Sequence, residues 1–234
     1  MVMKFKAWSA AIVGAALAAV LAGAFALVAR GTLGAVIGAL AVVSMVAPQM
    51  VAGEERVLRR VVVAISVLVG VALGLIVAAA RGSWGLWGWL QVTIVVASYG
   101  LALAAVCDGL ERIRVNASIA AGVTTVLSVL WLSWPFWMAP WMEGGKSEEL
   151  ASRMALVHPV FAANGSMIEV FPPWAEQRIA YRQTNLGDDI LYEMPRTISW
   201  CVGMNLGVVL LGLVLHGRDA HATVGKWFGE RRAA

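Results

Sequence analysis

The chain has 234 residues, of which 60% are hydrophobic and 14% charged, against about 25% charged in an ordinary soluble domain. That balance excludes a water-soluble globular domain, and the net charge of +4 does not signal nucleic-acid affinity, because the basic residues lie mostly at the ends of apolar runs. Two cysteines, Cys107 and Cys201, are far apart and form no CxxC, which leaves a zinc site or a disulfide framework without support.

A bilayer core requires about 20 consecutive apolar residues per helical crossing. Six such runs follow in chain order at 8–29, 32–52, 61–80, 86–107, 117–139 and 197–216, none with an internal Asp, Glu, Lys or Arg. The expectation is an all-α, polytopic integral membrane protein with six transmembrane helices. Residues 1–139 hold helices one to five, 140–196 an extracytoplasmic segment, 197–216 helix six and 217–234 a cytoplasmic tail. The first run has an alternative: Lys4, Lys6 and Ala22-Gly-Ala-Phe-Ala26 also fit a signal peptide cleaved within residues 1–26. The apolar run nevertheless continues to Ala29.

Charge sets the orientation. Lys4, Lys6, Arg56, Arg59, Arg60, Arg112, Arg114, Arg218, Lys226, Arg231 and Arg232 fall on one side; the other has Arg30 and Arg81 in short loops and five more within 140–196. The positive-inside rule weighs short loops most and places both termini in the cytoplasm. The stretch Met50-Val-Ala-Gly-Glu-Glu-Arg-Val-Leu-Arg-Arg60 is then a cytoplasmic turn. Its arginines serve orientation; Glu54 and Glu55 do not, so they ask for another use.

The outer side is rich in tryptophan. Trp84, Trp87 and Trp89 follow the third run, and Trp131, Trp134, Trp137 and Trp141 leave the fifth, with Pro135 and Pro140 among them. An aromatic belt at headgroup level is the expectation for Trp84, Trp87, Trp89, Trp134, Trp137 and Trp141, with a ligand platform as the alternative. Segment 140–196 is long enough to hold structure of its own. Ser147-Glu-Glu149 reads as a helix start, with Leu150, Met154 and Val157 on one face. His158-Pro159 ends that helix. A second polar piece spans 175–183, Asn185-Leu-Gly187 is a turn, and Asp188, Asp189 and Glu193 make an acidic end without a metal-site pattern.

Three GxxxG pairs occur, Gly34/Gly38, Gly70/Gly74 and Gly203/Gly207, each suited to close helix packing within one bundle or across a dimer. Gln49, Gln91, Tyr99 and Asn205 are the polar groups at depth, expected to make interhelical hydrogen bonds. The lack of intramembrane charge argues against a proton-coupled carrier. No nucleophile elbow, HExxH or P-loop occurs, so catalytic chemistry and a metal or cofactor are not expected in this chain.

This layout resembles the ABC-2-type permeases, the membrane subunits of ABC exporters. In that family the turn after helix two commonly carries a Glu-Arg pair that contacts the ATPase, and Glu55-Arg56 stands in its place. Gly82-Ser-Trp-Gly85 is similar to the outer turn before the family's fourth helix. Arg112-Ile-Arg-Val-Asn-Ala117 is similar to the basic turn before its fifth, and His158-Pro-Val-Phe-Ala162 to the Pro-containing motif before its last. The chain departs from the pattern after Arg60, where Val61-Val-Val follows directly, so an accessory subunit is as compatible as a full permease. The resemblance implies a bacterial-type inner membrane, an ABC ATPase partner holding the ATP, and a second permease copy or paralogue. It also implies coupling through Glu54, Glu55, Arg56, Arg59 and Arg60, the two last pairing with that partner or with membrane lipid. Two further possibilities stand beside it. Trp84-Gly-Leu-Trp-Gly-Trp89 with His158 is similar to haem-handling proteins of cytochrome c biogenesis, and the uncharged helices also suit a scaffold subunit of a larger membrane complex.

Overall fold

The computed structural model describes residues 12–24, 32–53, 57–82, 85–138, 148–167 and 195–215. Among them every regular element is helical: α1 (Ile12–Ala24), α2 (Thr32–Val51), α3 (Val57–Gly82), α4 (Gly85–Arg112), α5 (Ala117–Leu132), α6 (Trp134–Met138), α7 (Glu148–Val157), α8 (Pro159–Met167) and α9 (Ser199–Leu215). Three of these contain stretches long and apolar enough to cross a membrane, Gly34–Val51, Arg60–Ala80 and Gly85–Arg112. α1, α5 and α9 are apolar but shorter.

α2 runs through the middle of the bundle and packs on α3, α4, α5 and α8. α3 shows why composition outweighs amphipathicity here. Ala64, Val67, Val71, Leu75 and Ala78 face the core, while Val61, Ile65, Val69, Leu73 and Ile76 on the other side are exposed. A helix apolar on both faces belongs in an apolar solvent.

Small residues set the closest approaches. A Cβ on Gly70 would stand 2.1 Å from the Ala15 carbonyl oxygen, and one on Gly74 2.6 Å from the Ala22 Cβ. The Gly70/Gly74 pair therefore seats α3 on α1 inside the chain. Gly100 brings α4 against Leu68 of α3 and Val43 of α2. A Cβ on Gly203 or Gly207 of α9 would meet nothing within 4 Å among the described residues; Gly38 is buried and Gly34 exposed. Gly70→Ala is expected to cost about 2 kcal/mol, because the obstacle is backbone and α1 must move. Gly203→Ala is expected to stabilise by up to about 1 kcal/mol through helix propensity. Unfolding midpoints of the two variants in the same detergent check the contrast.

Two prolines shape the helices. Pro48 lies inside α2 and lacks the N–H that would bond the Ser44 carbonyl. Thr125 Oγ1 from α5 donates to that carbonyl instead, at 3.3 Å. From the same place a buried hydroxyl chain runs across the bundle. Ser44 Oγ donates to Leu40 O (2.7 Å) and Ser128 Oγ to Ser44 Oγ (2.7 Å). Because Ser128 has spent its proton, the Tyr99 hydroxyl donates to Ser128 Oγ at 2.6 Å. These bonds join α2, α4 and α5. Asn205 Nδ2 donates to Ser98 Oγ at 3.1 Å and ties α9 to α4. Tyr99 and Asn205 thus make the interhelical bonds expected of them, whereas Gln91 Oε1 is buried without a partner and Gln49 is exposed.

Pro135 breaks the run expected over 117–139: α5 stops at Leu132, Ser133 caps it, and α6 restarts at Trp134. Val129 O keeps a backbone bond from Ser133 N–H (2.9 Å), and three carbonyls around the break accept from side chains. Val129 O accepts from Ser133 Oγ (2.7 Å), Leu130 O from Trp137 Nε1 (2.9 Å), and Trp131 O from His158 Nε2 (3.1 Å).

Candidate functional site

The two turns at the Gly53 end of the bundle are built by local rules. α2 ends at Val51, Ala52 N–H bonds back to Pro48 O (3.0 Å), and Gly53 takes φ +75°, the left-handed conformation that suits glycine after a helix. α4 ends in a Schellman motif. Val115 N–H reaches Leu110 O (3.2 Å), Arg114 N–H reaches Glu111 O (3.0 Å), and Arg114 holds φ 66° without being glycine. Asn116 then caps α5, its Oδ1 accepting from Ser118 N–H at 3.0 Å. Only Val115 and the cap residue Asn116 therefore separate Arg114 in its left-handed turn from Ala117, the first residue of α5.

These turns are braced together. Glu111 Oε1 accepts from the Gly53 N–H at 2.8 Å, and Glu111 Oε2 from Arg60 Nη2 at 2.5 Å. Arg60 Nη1 pairs with Asp108 Oδ1, whose other oxygen accepts from Arg112 Nε at 2.6 Å. The three side chains Arg60, Asp108 and Glu111 are 15, 21 and 13% exposed, so they form a partly buried lattice rather than surface pairs. One guanidinium spans two carboxylates, a role its planar fork allows and a lysine's point charge does not. A cavity of about 100 Å³ opens beside it, between α3, α4 and α9.

Sequence reasoning assigned Arg60 to a partner or to lipid, and missed Asp108 and Glu111 as its neighbours. The structure ties Arg60 inside the chain, because α3 and α4 each run past the apolar stretch and bring their charged ends face to face. A signal was present: an Asp and a Glu three residues apart at the end of one run, opposite an Arg at the start of another. Arg59 falls in the first turn of α3. Glu54, Glu55 and Arg56 lie outside the described residues, as do Trp84, Trp141, the 175–183 piece, the 185–187 turn and the acidic Asp188, Asp189 and Glu193. Among the described residues no group of three His, Cys, Asp or Glu is placed to hold a metal.

The opposite end departs from the aromatic belt. Trp137 is half exposed, as a belt residue should be, and Trp87 more so. Trp89 donates to Ala72 O on α3 at 3.1 Å. Trp134 is fully buried, and it forms a small second core with Phe161, Ala151 and Ala155. α7 meets it through those two alanines, which allow close approach, and Leu150 of the expected apolar face is exposed instead. His158, between α7 and α8, fills the centre. Its ring lies 5.5 Å from Trp131, 6.0 Å from Trp134 and 5.1 Å from Phe161, centroid to centroid.

The Trp131 carbonyl only accepts, so His158 Nε2 carries the proton and Nδ1 is the bare nitrogen, buried without a partner. Burial pushes the imidazole down to about 3, against the opposing pull of its backbone hydrogen bonds. The unfolded chain, with an ordinary histidine near 6.5, binds the proton first. Stability is therefore complete above pH 6.5 and falls as pH drops from there toward 3. Between pH 6.5 and 5 the expected loss is about 2 kcal/mol. Unfolding of the His158→Gln variant, which keeps a donor for Trp131 O, should lack that slope.

No family model matches the chain, and neither does any curated protein or solved structure.

Proposed function

We propose that the chain is a permease-like membrane subunit of an ATP-driven exporter of the ABC type. It is a six-helix, multi-pass protein of a bacterial-type inner membrane with both termini in the cytoplasm, and a separate ATPase docks on its 53–60 turn. The observation that supports this most is the brace between the two turns. A push on the 53–60 turn does not dissipate in a loose loop. The Gly53–Glu111 and Arg60–Asp108 bonds pass it to the end of α4, and the tight Arg114–Asn116 turn passes it to α5. α2 ends one turn beyond Pro48, so its own helix is weakest where the push arrives. Glu54, Glu55 and Arg56 are the docking charges, and Arg60 transmits instead of docking. ATP is held by the partner, and this chain supplies no catalytic group.

The scaffold alternative draws on α9, where a Cβ on Gly203 or Gly207 would meet nothing within 4 Å among the described residues, a face that suits close packing against another subunit. The haem-handling alternative gains nothing from His158, which is enclosed by three aromatic rings with its Nε2 committed to Trp131 O.

The test is a mild-detergent pull-down of the tagged protein, alone and with Glu55→Ala and Arg56→Ala combined. A P-loop ATPase should come down with the wild type and be lost from the variant. Recovery of other membrane subunits with no ATPase overturns the permease reading in favour of the scaffold.

A further inference from the structure

Buried polar groups fare differently along the bundle. Among the described residues, six buried side-chain atoms have no hydrogen-bond partner: Gln91 Oε1, Thr93 Oγ1, Trp134 Nε1, His158 Nδ1, and both Nδ2 and Oδ1 of Asn164. All six lie in the half of the bundle opposite the brace. Further along, Ser44, Ser98, Tyr99, Thr124, Ser128 and Asn205 each hold a bond. Four of the unpaired atoms are on α8 and on α4, against which it packs. Asn164 is 1% exposed and bonds through neither end of its amide, and a polar group buried in that state destabilises the position it occupies. α8 has little to set against this. Residues 161–166 are all buried, but Ala162, Ala163, Gly165 and Ser166 are small and remove little apolar area from solvent. Phe161, the large one, packs on Trp134 in the cap's own core. The apolar side chains that join α8 to the main core are Val160, Ala162 and Ala163. A Cβ on Gly165 would stand 1.9 Å from the Pro195 carbonyl oxygen, so backbone rests on backbone there and no side chain interlocks.

We propose that α8, with the aromatic core at its head, is a movable plug for the end of the bundle opposite the brace. It lifts off α2 and α4 as a unit, at lower free energy than the rest of the bundle opens. The displaced state gives the Asn164 amide to water and surrenders only a few small apolar contacts. The brace, tied by ion pairs across α3, α4 and the Gly53 turn, stays closed in that motion. The plug's use as the outer gate of an exporter rests on the function proposed above. Its movement does not, so a failed pull-down leaves it standing.

Amide hydrogen exchange of the full chain in mild detergent, read by mass spectrometry, tests this. In the wild type the α8 amides should exchange at least about tenfold faster than those of α4 from Val95 to Gly100, although both stretches are mostly buried. Asn164→Leu keeps the branching and the number of heavy atoms and removes the unbonded amide. It should slow exchange in α8 about tenfold and leave α4 unchanged. Asn164→Val serves if the leucine variant does not fold. A gain from a polar-to-apolar change separates the plug from a seat in which bound water already satisfies Asn164, since the same change would loosen that seat. Wild-type exchange as slow in α8 as in α4 overturns the proposal, and so does α8 exchange that quickens or stays the same in the folded variant.

Discussion

Arg60→Ala is expected to destabilise the protein by about 3 kcal/mol, the lower end of what breaking a buried ion pair costs, since the lattice keeps some solvent contact. The loss is less the missing attraction than what stays behind. Asp108 and Glu111 would face one another with Arg112 near them, and among the described residues the 53–60 turn would keep the Gly53–Glu111 bond. Arg60→Lys should recover less than half of the loss, because an ammonium does not reach two carboxylates in the fixed geometry of a guanidinium fork. Equilibrium unfolding in a constant detergent, with a double-mutant cycle through Asp108→Asn, measures both numbers. A coupling energy under about 0.5 kcal/mol would reduce the brace to an ordinary surface pair. The pull-down adds a second expectation: Arg60→Ala should keep the partner bound while any coupled ATP hydrolysis falls, since docking and transmission fall on different residues of one turn.

Trp134→Ala should cost about 4 kcal/mol, and Trp137→Ala about 1 kcal/mol, although the two tryptophans are three residues apart on the same short helix. Trp134 has no exposed surface. It packs on Phe161 at 5.8 Å and edge-on against His158, so its removal empties the centre of the small core that α7 and α8 close over. Trp137 is 47% exposed and contributes chiefly its bond to Leu130 O. The same unfolding experiment compares the pair. If both variants lose alike, the cap has no packed core and these tryptophans are belt residues after all. Because Trp134 helps keep water from His158, the Trp134→Ala variant should also lose part of the pH slope between 6.5 and 5.

Most of what concerns the surrounding solvent was legible in the sequence. Apolar runs with charges confined to their ends follow from the cost of placing charge in hydrocarbon, and that cost is paid residue by residue, so it leaves a local record. Helix ends were legible for a similar reason. Pro159 after His158 acts through its own backbone chemistry and was legible as such. Pro135 and Asn116 act in the same way, yet the fifth run was read through the first to 139 and took no cap from the second. Even the places of weakness could be named, since a proline at 48 or 135 orphans the carbonyl four residues earlier, Ser44 or Trp131. The identity of the group that answers each orphan could not. Thr125 and His158 are 81 and 27 residues away, and only the packing of one helix on another brings them there. The same holds for Arg60 and its two carboxylates, and for the glycines. Gly70/Gly74 and Gly203/Gly207 have the same spacing, yet one pair is closed on α1 and the other open. In a helix apolar on every side, periodicity no longer marks the buried face, because lipid and protein core reward the same side chains. Sequence alone therefore determined that the chain is helical and apolar enough for a membrane; which face meets which neighbour was decided by tertiary contacts between helices.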